Sequence, residues 1–423
     1  MKRFTKNVLL SVAALGLVGG LSACGSSSNS SSADSGSSGD KEEIEFFFQK
    51  QEMLDTMKEI VADFEAENPD ITVKLTNVPD GATVLKTRMA SGDVPDVVHV
   101  YPHQQDFQTW AESGTFADLT DTDLLDNVKD GVAETYAIDG KDYAVPLSNN
   151  AYGIFYNATA FEELGIEAPT TFAEFEEDVQ AIKDAGETPF AEALSSDAAG
   201  FMIGFDQLAF ATTTGGYDEA NAFLLDSPKD SIEVSDPVIE EVLSKLDIVR
   251  DNYQANAAGA GYNDSIASFA SGDGLMLING TWALPAIQAL EPDFEIRMFA
   301  FPGDEAGQEL TAGAADLALA VSETSEHKEA SEKFVKFVSS AEEMQKYYDV
   351  DGGPVLVDGV DTEGKFPETE GVTELVGTDN QIVWLAKDWS SETDFGLLTV
   401  DYILNGDADQ FVSSLNTFVD TMK

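Results

Sequence analysis

Cysteine, histidine and arginine are scarce in this chain of 423 residues: one Cys, three His, and Arg only at positions 3, 88, 250 and 297. The single Cys24 excludes an internal disulfide framework and Cys-rich metal sites. With His99, His103 and His327 alone, histidine-based catalysis has few candidates. Lys and Arg together number 23 against 78 Asp and Glu, so the formal charge is −55. Polyanions are held by Lys and Arg neutralising phosphates, and a chain this acidic repels both nucleic acid and an anionic membrane surface. The same shortage leaves phosphorylated or carboxylated ligands without a cradle. HExxH, GxSxG, Walker A and GxGxxG spacings are also missing, so no catalytic residue, metal or cofactor is expected. What the chain does have is apolar bulk. A hydrophobic fraction of 43%, with 26 Phe, excludes a disordered acidic tail, and the length fits two or three domains of about 100–200 residues.

The N-terminus points to a compartment. Lys2, Arg3 and Lys6 precede an apolar run over 8–21, too short for a comfortable transmembrane helix of ~20 residues, so 1–23 reads as a signal peptide. The run ends in Leu21-Ser22-Ala23-Cys24-Gly25, which resembles the bacterial lipobox, where the cysteine is diacylated and the preceding segment removed. The alternative is an ordinary secretory cleavage site that happens to hold a Cys. Residues 24–42 follow as a lipidated Cys24 and a Ser/Gly tether that cannot bury a core. The expected location is the extracellular face of the bacterial cytoplasmic membrane, held there by lipid on Cys24.

Beyond the tether, residues 43–48 read as a strand. Met53, Leu54, Met57, Ile60, Val61 and Phe64 then form one apolar helical stripe, ended by Asn68-Pro69-Asp70. Strands follow over 71–75 and 97–100, with a short helix around 85–89 between them, and this alternation predicts a mostly parallel sheet. The same grammar restarts after Pro146. A strand over 153–156 leads to a helix opened by a capping box, Thr171 with Glu174, and closed near Gly186. Asp236-Pro237 starts another helix, 275–278 is a strand, and Ala330, Phe334, Phe337 and Ala341 mark a further helix. No internal repeat is present. Two α/β lobes leave a cleft between them, with ligands bound outside the carboxyl ends of strands.

Candidate site residues follow from that placement. Asn279-Gly280-Thr281-Trp282 puts an indole at the carboxyl end of the 275–278 strand, where it either packs in the core or stacks on the apolar face of a sugar. Trp384 and Trp389, with Asp388 between them, form a second aromatic and carboxylate cluster open to the same two readings. Tyr101-Pro102-His103-Gln104-Gln105-Asp106 lies after the third strand, as a cleft loop would. Carboxylate pairs such as Asp121 and Asp123, or Asp349 and Asp351, are unavoidable among 78 acids and read as solvated surface. Asp121-Thr122-Asp123 also lacks the glycine and distal Glu of an EF-hand loop.

Taken in order, several segments resemble the extracellular solute-binding lipoproteins of bacterial ABC sugar importers, of maltose-binding-protein type (family 1). The likeness is greatest to the raffinose and multiple-sugar-binding members. It is carried by the lipobox through Cys24, the helix end at 64–73, Met89-Ala90-Ser91-Gly92-Asp93-Val94-Pro95-Asp96, and Tyr143-Ala144-Val145-Pro146 continuing to Ile154-Phe155-Tyr156-Asn157. Pro169-Thr170-Thr171-Phe172 and Phe269-Ala270-Ser271-Gly272, leading to Asn279-Gly280-Thr281-Trp282, complete the set.

The resemblance implies a class II periplasmic-binding-protein-like fold, with a hinge between two mostly parallel α/β lobes. Lobe 1 would comprise 43–150 plus 314–350 and lobe 2 would comprise 151–313 plus 351–423, with crossings near 147–153 and 311–315. It implies that Trp282 stacks on a sugar ring and that His103, Gln104 and Gln105 supply polar contacts. Trp384, Asp388 and Trp389 would add aromatic and acidic ones. Gln51, Asn150 and Asp197 also fall on ligand-facing stretches. Trp389 is followed by Ser390 rather than the branch's usual Pro. The implied activity is capture of a neutral oligosaccharide by a monomer that hands it to ABC permease subunits, without catalysis. Two other readings stay open: an extracellular glycosidase, needing two carboxyls ~5–9.5 Å apart, and the same scaffold holding a cationic solute such as a polyamine.

Overall fold

The computed structural model describes residues 41–78, 81–195, 203–389 and 391–422. The signal peptide, Cys24 and nearly all of the tether lie outside the described residues, as do Asp197, the rest of the loop over 196–201, and Ser390.

Strand β1 (Glu42–Phe47) buries Ile44, Phe46 and Phe47, and its connection to β2 (Ile71–Thr76) is the helix Leu54–Glu67. Met57, Ile60, Val61 and Phe64 recur on one face of that helix and are buried, while Lys58, Glu59 and Asp63 are exposed. Asn68 closes it, its side-chain amide donating to the Phe64 carbonyl at 2.9 Å. Both β2 and β3 (Val97–Val100) pair parallel with β1. The next neighbours break the pattern. β9 (Ala315–Val321) inserts antiparallel between β3 and β4 (Val145–Asn149), giving the order β2-β1-β3-β9-β4.

In the second lobe, β5 (Tyr152–Asn157) lies between β6 (Met276–Gly280) and β7 (Ile296–Phe299), and both pairings are antiparallel. β8 (Thr311–Ala312) pairs parallel with β10 (Gln381–Ile382). The expectation of two mostly parallel lobes is therefore corrected, although the two-lobed α/β class stands. Alternating helices and strands predict parallel pairing only where one helix carries the chain back across the sheet. Between β5 and β6 the chain instead passes through several helices, and β9 enters the first sheet from the other lobe.

The capping box forms as expected: the Glu174 carboxylate accepts from the Thr171 N–H, and the Glu174 N–H is capped by the Thr171 hydroxyl at 3.3 Å, opening the helix Phe172–Asp184. The helix expected through Ala341 is two helices, Lys328–Val338 and Ala341–Asp351. Ser340 divides them because its hydroxyl accepts the Glu343 N–H and caps a new start.

Four apolar clusters form among the described residues, two of them large. One gathers Phe46, Phe64, Phe334 and Tyr347 around the five-stranded sheet. The other gathers Phe175, Phe190, Phe210, Phe395 and Trp389 around the three-stranded sheet and the helices Ile203–Thr214, Pro237–Arg250, Glu392–Asn405 and Ala408–Asp420. Segments 150–151 and 313–314 join β4 to β5 and β8 to β9, whereas the chain after Gly353 stays on the first sheet, the Leu356 N–H donating to the Leu147 carbonyl at 3.0 Å and the Asp358 N–H to Asn127 at 2.9 Å. The two joining segments run close together. The Asn150 N–H donates to the Ala314 carbonyl at 3.0 Å, and the Asn149 N–H to Pro354 at 2.7 Å.

Two carboxylates of the second lobe are buried without a cation. Burial pushes Glu192 up to about 8 and raises Asp206 well above the usual carboxylate range. The folded state thus holds protons that an unfolded carboxyl, near 4.5, has already lost. Stability falls as pH rises through that interval, at up to ~1.4 kcal/mol per pH unit for each group. Buried His99 and His103 act oppositely, but only below their ordinary value of 6.5, since burial holds both down to about 4. Between pH 6.5 and 8 the carboxylates act alone, so the calorimetric unfolding midpoint is expected to fall across that range, and Glu192→Gln should flatten the slope. A midpoint that rises with pH there would contradict this account.

Candidate functional site

The carboxyl ends of β1, β3 and β6, the start of β9 and the segment after β10 converge on an interlobe cavity of about 320 Å³. Its aromatic wall belongs to the second lobe. β6 ends at Gly280, and Trp282 follows in a short 3-10 turn, Thr281–Ala283. The indole lies so flat over Gly280 that a Cβ there would sit 2.0 Å from a ring carbon, which accounts for the glycine before it. Tyr152 from β5 and Trp384 from the segment after β10 extend the wall. Their rings are 5.6 Å apart, and they lie 6.0 and 6.5 Å from Trp282.

The facing wall is polar. Tyr101, His103 and Gln104 come from the loop after β3, Lys50 and Glu52 from the loop after β1, and Asn150 and Asp316 from the two joining segments and the start of β9. The Lys50 ammonium donates to Asp316 at 2.5 Å and to Asp351 at 2.9 Å, and these carboxylates raise its pKa well above the ordinary lysine value, so it stays charged. Behind it, His99 receives the Gln49 N–H on Nδ1 at 3.2 Å, which leaves Nε2–H to donate to the Asp316 carbonyl at 2.8 Å. His103 is neutral as well, and its buried Nδ1 has no hydrogen-bond partner among the described residues. Such an atom bordering a cavity suits a ligand hydroxyl. Glu392 and Thr393 close the cleft at the start of the helix Glu392–Asn405 and, with His103 and Gln104, also line an adjoining cavity of about 160 Å³. Burial pushes the Glu392 carboxyl up to about 7.

Among the residues expected at a site, Trp282, Trp384, His103, Gln104 and Asn150 border the main cavity, and Gln105 borders the smaller one. Others lie elsewhere. Gln51 is exposed and its amide donates to the Val78 carbonyl at 3.1 Å, while Lys50 and Glu52 on either side of it face the cleft. Asp388 is exposed and accepts from the Tyr217 hydroxyl at 2.7 Å. Trp389 is 1% exposed, donates its indole N–H to Asn221 at 2.9 Å and packs 4.4 Å from Phe395. Its expected sugar contact is therefore corrected to a core role, with only its edge on the smaller cavity.

Sequence reading placed Tyr101 in the cleft loop but missed Lys50, Glu52, Tyr152, Asp316, Glu392 and Thr393 as site residues. For Asp316 a signal existed, since it is the one charge in the apolar run 315–321 and a buried charge needs a partner. Size alone would have misplaced the site. A groove of about 510 Å³, bordered by Tyr348, Pro354, Phe366 and Pro367, is larger but has no comparable aromatic wall.

Fold and cleft together define a two-lobed α/β protein that takes small solutes between its lobes. Residues 50–345 match the model of the bacterial extracellular solute-binding proteins, and the chain belongs to that family. It is 45% identical over 425 residues to the multiple sugar-binding protein of Streptococcus mutans serotype c, spanning 100% of this chain and 99% of that one. Among solved structures it is similar to the solute-binding protein RafE in complex with raffinose, with a TM-score of 0.87 and 48% identity over 90% of this chain and 99% of that one. Against the apo form of RafE from Streptococcus pneumoniae the TM-score is 0.81, at 47% identity over 91% and 98%. The protein is thus a bacterial extracellular solute-binding protein rather than an enzyme.

The two tryptophans separate cleanly by experiment. Trp389→Ala should cost roughly 3–5 kcal/mol of stability in denaturant titration, as expected of a core aromatic. Trp282→Ala, at a partly exposed position, should cost far less. Equal losses would mean that Trp282 belongs to the core.

Proposed function

We propose that the protein captures a neutral oligosaccharide of raffinose type in the interlobe cleft, closes on it and delivers it intact to the permease subunits of an ABC importer. The observation that carries the reading is the aromatic wall of Tyr152, Trp282 and Trp384 set across the cavity from His103, Gln104, Asn150 and Asp316. Flat indole and phenol faces suit the apolar CH face of a pyranose, and the polar side suits its hydroxyls. The one cation at the main cavity, Lys50, is already bonded to two carboxylates, which disfavours an anionic ligand. The cavity sharing His103, Gln104, Glu392 and Thr393 gives the cleft a second compartment, which suits more than one sugar unit. The raffinose carried by the RafE relative supports the same class of ligand.

In this reading the lobes are 43–150 with 314–350 and 151–313 with the last part of the chain, except that 353–358, expected in the second lobe, pack on the first; the molecule works as a monomer, and lipid on Cys24 tethers it outside the membrane. Closure and docking are then two faces of one two-state equilibrium. Affinity should be micromolar, on the order of −8 kcal/mol. A cationic solute is the second reading, because Glu392 at the cleft carries no described salt bridge.

Calorimetry with raffinose, other neutral oligosaccharides, spermidine and choline decides between them: binding of an amine and of no sugar would overturn the proposal. Trp282→Ala is expected to weaken raffinose binding by about 2 kcal/mol. The pH dependence supplies a third test. A sugar hydroxyl donating to Glu392 favours its ionised form, so affinity should rise as pH passes upward through about 7, by at most ~10-fold per pH unit, and level off above. His103 titrates near 4, outside that window. Glu392→Gln should bind raffinose with a flat profile between pH 6 and 8, and a wild-type profile already flat there would remove Glu392 from the contacts.

A further inference from the structure

Trp282 is held at both ends of its indole. The six-membered edge lies over Gly280, where its carbons occupy the space a Cβ would need. The N–H edge meets Tyr262, the first residue of the helix Tyr262–Ala270, whose start is fixed by the Asp264 carboxylate accepting the Gly261 N–H at 2.9 Å. An indole nitrogen only donates, so in the hydrogen bond between these two side chains the Tyr262 hydroxyl is the acceptor. Both residues pack on one apolar cluster, which includes Ile266, Phe269, Ala283 and Leu284 and holds their rings side by side. Tyr262 lines neither cleft cavity, yet the charges that bear on its hydroxyl are Glu52, Lys50 and Asp316, all on the facing wall. Burial first, and then Glu52, raises the phenol well above its ordinary value of 10, so it keeps its proton.

We infer that Tyr262 is a positioning residue for sugar binding: it takes up the Trp282 N–H, so that the indole is fixed in plane and offers a ligand its face alone, while the phenol's own proton is left for Glu52 on the facing wall. An indole free at its nitrogen could turn about χ2, a torsion with broad preferences, and would lose part of its stacking energy to being ordered. Between Gly280 and Tyr262 that ordering is complete before a sugar arrives. With its one polar atom occupied, Trp282 recognises the apolar CH face of a pyranose and not a hydroxyl. Hydroxyl recognition then falls to the opposite wall. Glu52, which also lies 3.8 Å from the Lys50 ammonium, is where the tether of the aromatic wall meets the charges of the polar one.

The inference rests on the sugar-binding reading, and the test keeps the two apart. The full chain labelled with nitrogen-15 tryptophan gives four indole N–H resonances, from Trp110, Trp282, Trp384 and Trp389, and Trp282→Phe identifies the one in question. In Tyr262→Phe the Trp282 resonance should move upfield and its proton should exchange faster with water, while those of Trp110 and Trp389 stay in place. Raffinose affinity by calorimetry should fall about tenfold, the scale of one hydrogen bond, with a sugar-free unfolding midpoint too high for unfolding to explain the loss. A tyrosine that served packing alone would shift the midpoint and leave the indole resonance where it is. An unmoved Trp282 resonance, or an affinity within twofold of wild type, would overturn the inference. Should Tyr262→Phe fail to fold, the wild type decides: a Trp282 N–H that exchanges as fast as a solvent-exposed indole overturns the inference, and a protected one upholds it. A wild type that binds none of the oligosaccharides would instead overturn the sugar-binding reading itself, with the indole tether still judged by its resonance.

Discussion

A charged lysine sits almost completely buried beside the two segments, 150–151 and 313–314, that join the first sheet to the second lobe. Taking an ammonium out of water costs several kcal/mol, and it is tolerated here because Asp316 and Asp351 supply two short, charge-assisted bonds. Those partners lie far from Lys50 in sequence, so the ion cluster forms only when β1, β9 and the helix Ala341–Asp351 have assembled. Removing one partner leaves an uncompensated charge, typically a penalty of ~3–5 kcal/mol. The cluster therefore fixes the geometry of the polar wall as firmly as the apolar cores fix the lobes.

Around that cluster the cleft is kept electrically quiet on the side that faces a ligand. His99 and His103 are neutral because burial disfavours their charged forms, and Lys50 has little charge left to offer once its carboxylates are counted. Affinity must then come from ring faces and from directional hydrogen bonds, both of which suit hydroxyl-rich, uncharged molecules. The opposite lobe supplies the rings and this one supplies the donors and acceptors, so neither lobe alone can complete the site.

The fold was legible wherever a local signal decided the outcome. The apolar stripe of the helix Leu54–Glu67, the Thr171 and Glu174 box and the Asn279-Gly280-Thr281-Trp282 turn are all settled within a few residues. Strand direction was not legible, because the pairing of β9 with β3 and β4 depends on a return from the other lobe that leaves no mark on its seven residues. Site residues divided along the same line. Trp282 announced itself by standing at a strand end, whereas Trp389 looked identical in kind and is held in the core by Asn221 and Phe395, contacts that only the tertiary structure creates. The choice of Gln51 over Lys50 and Glu52 was an error of one residue in the facing of a loop, and a sequence without periodicity cannot correct such an error.

The placement of β9 has a consequence for the order in which the first lobe can form. The strand that fills the gap between β3 and β4 is made long after both of them, so the first lobe's sheet stays incomplete until most of the polypeptide exists. Both of its ladders are non-local pairings, which form slowly because a long loop must close first.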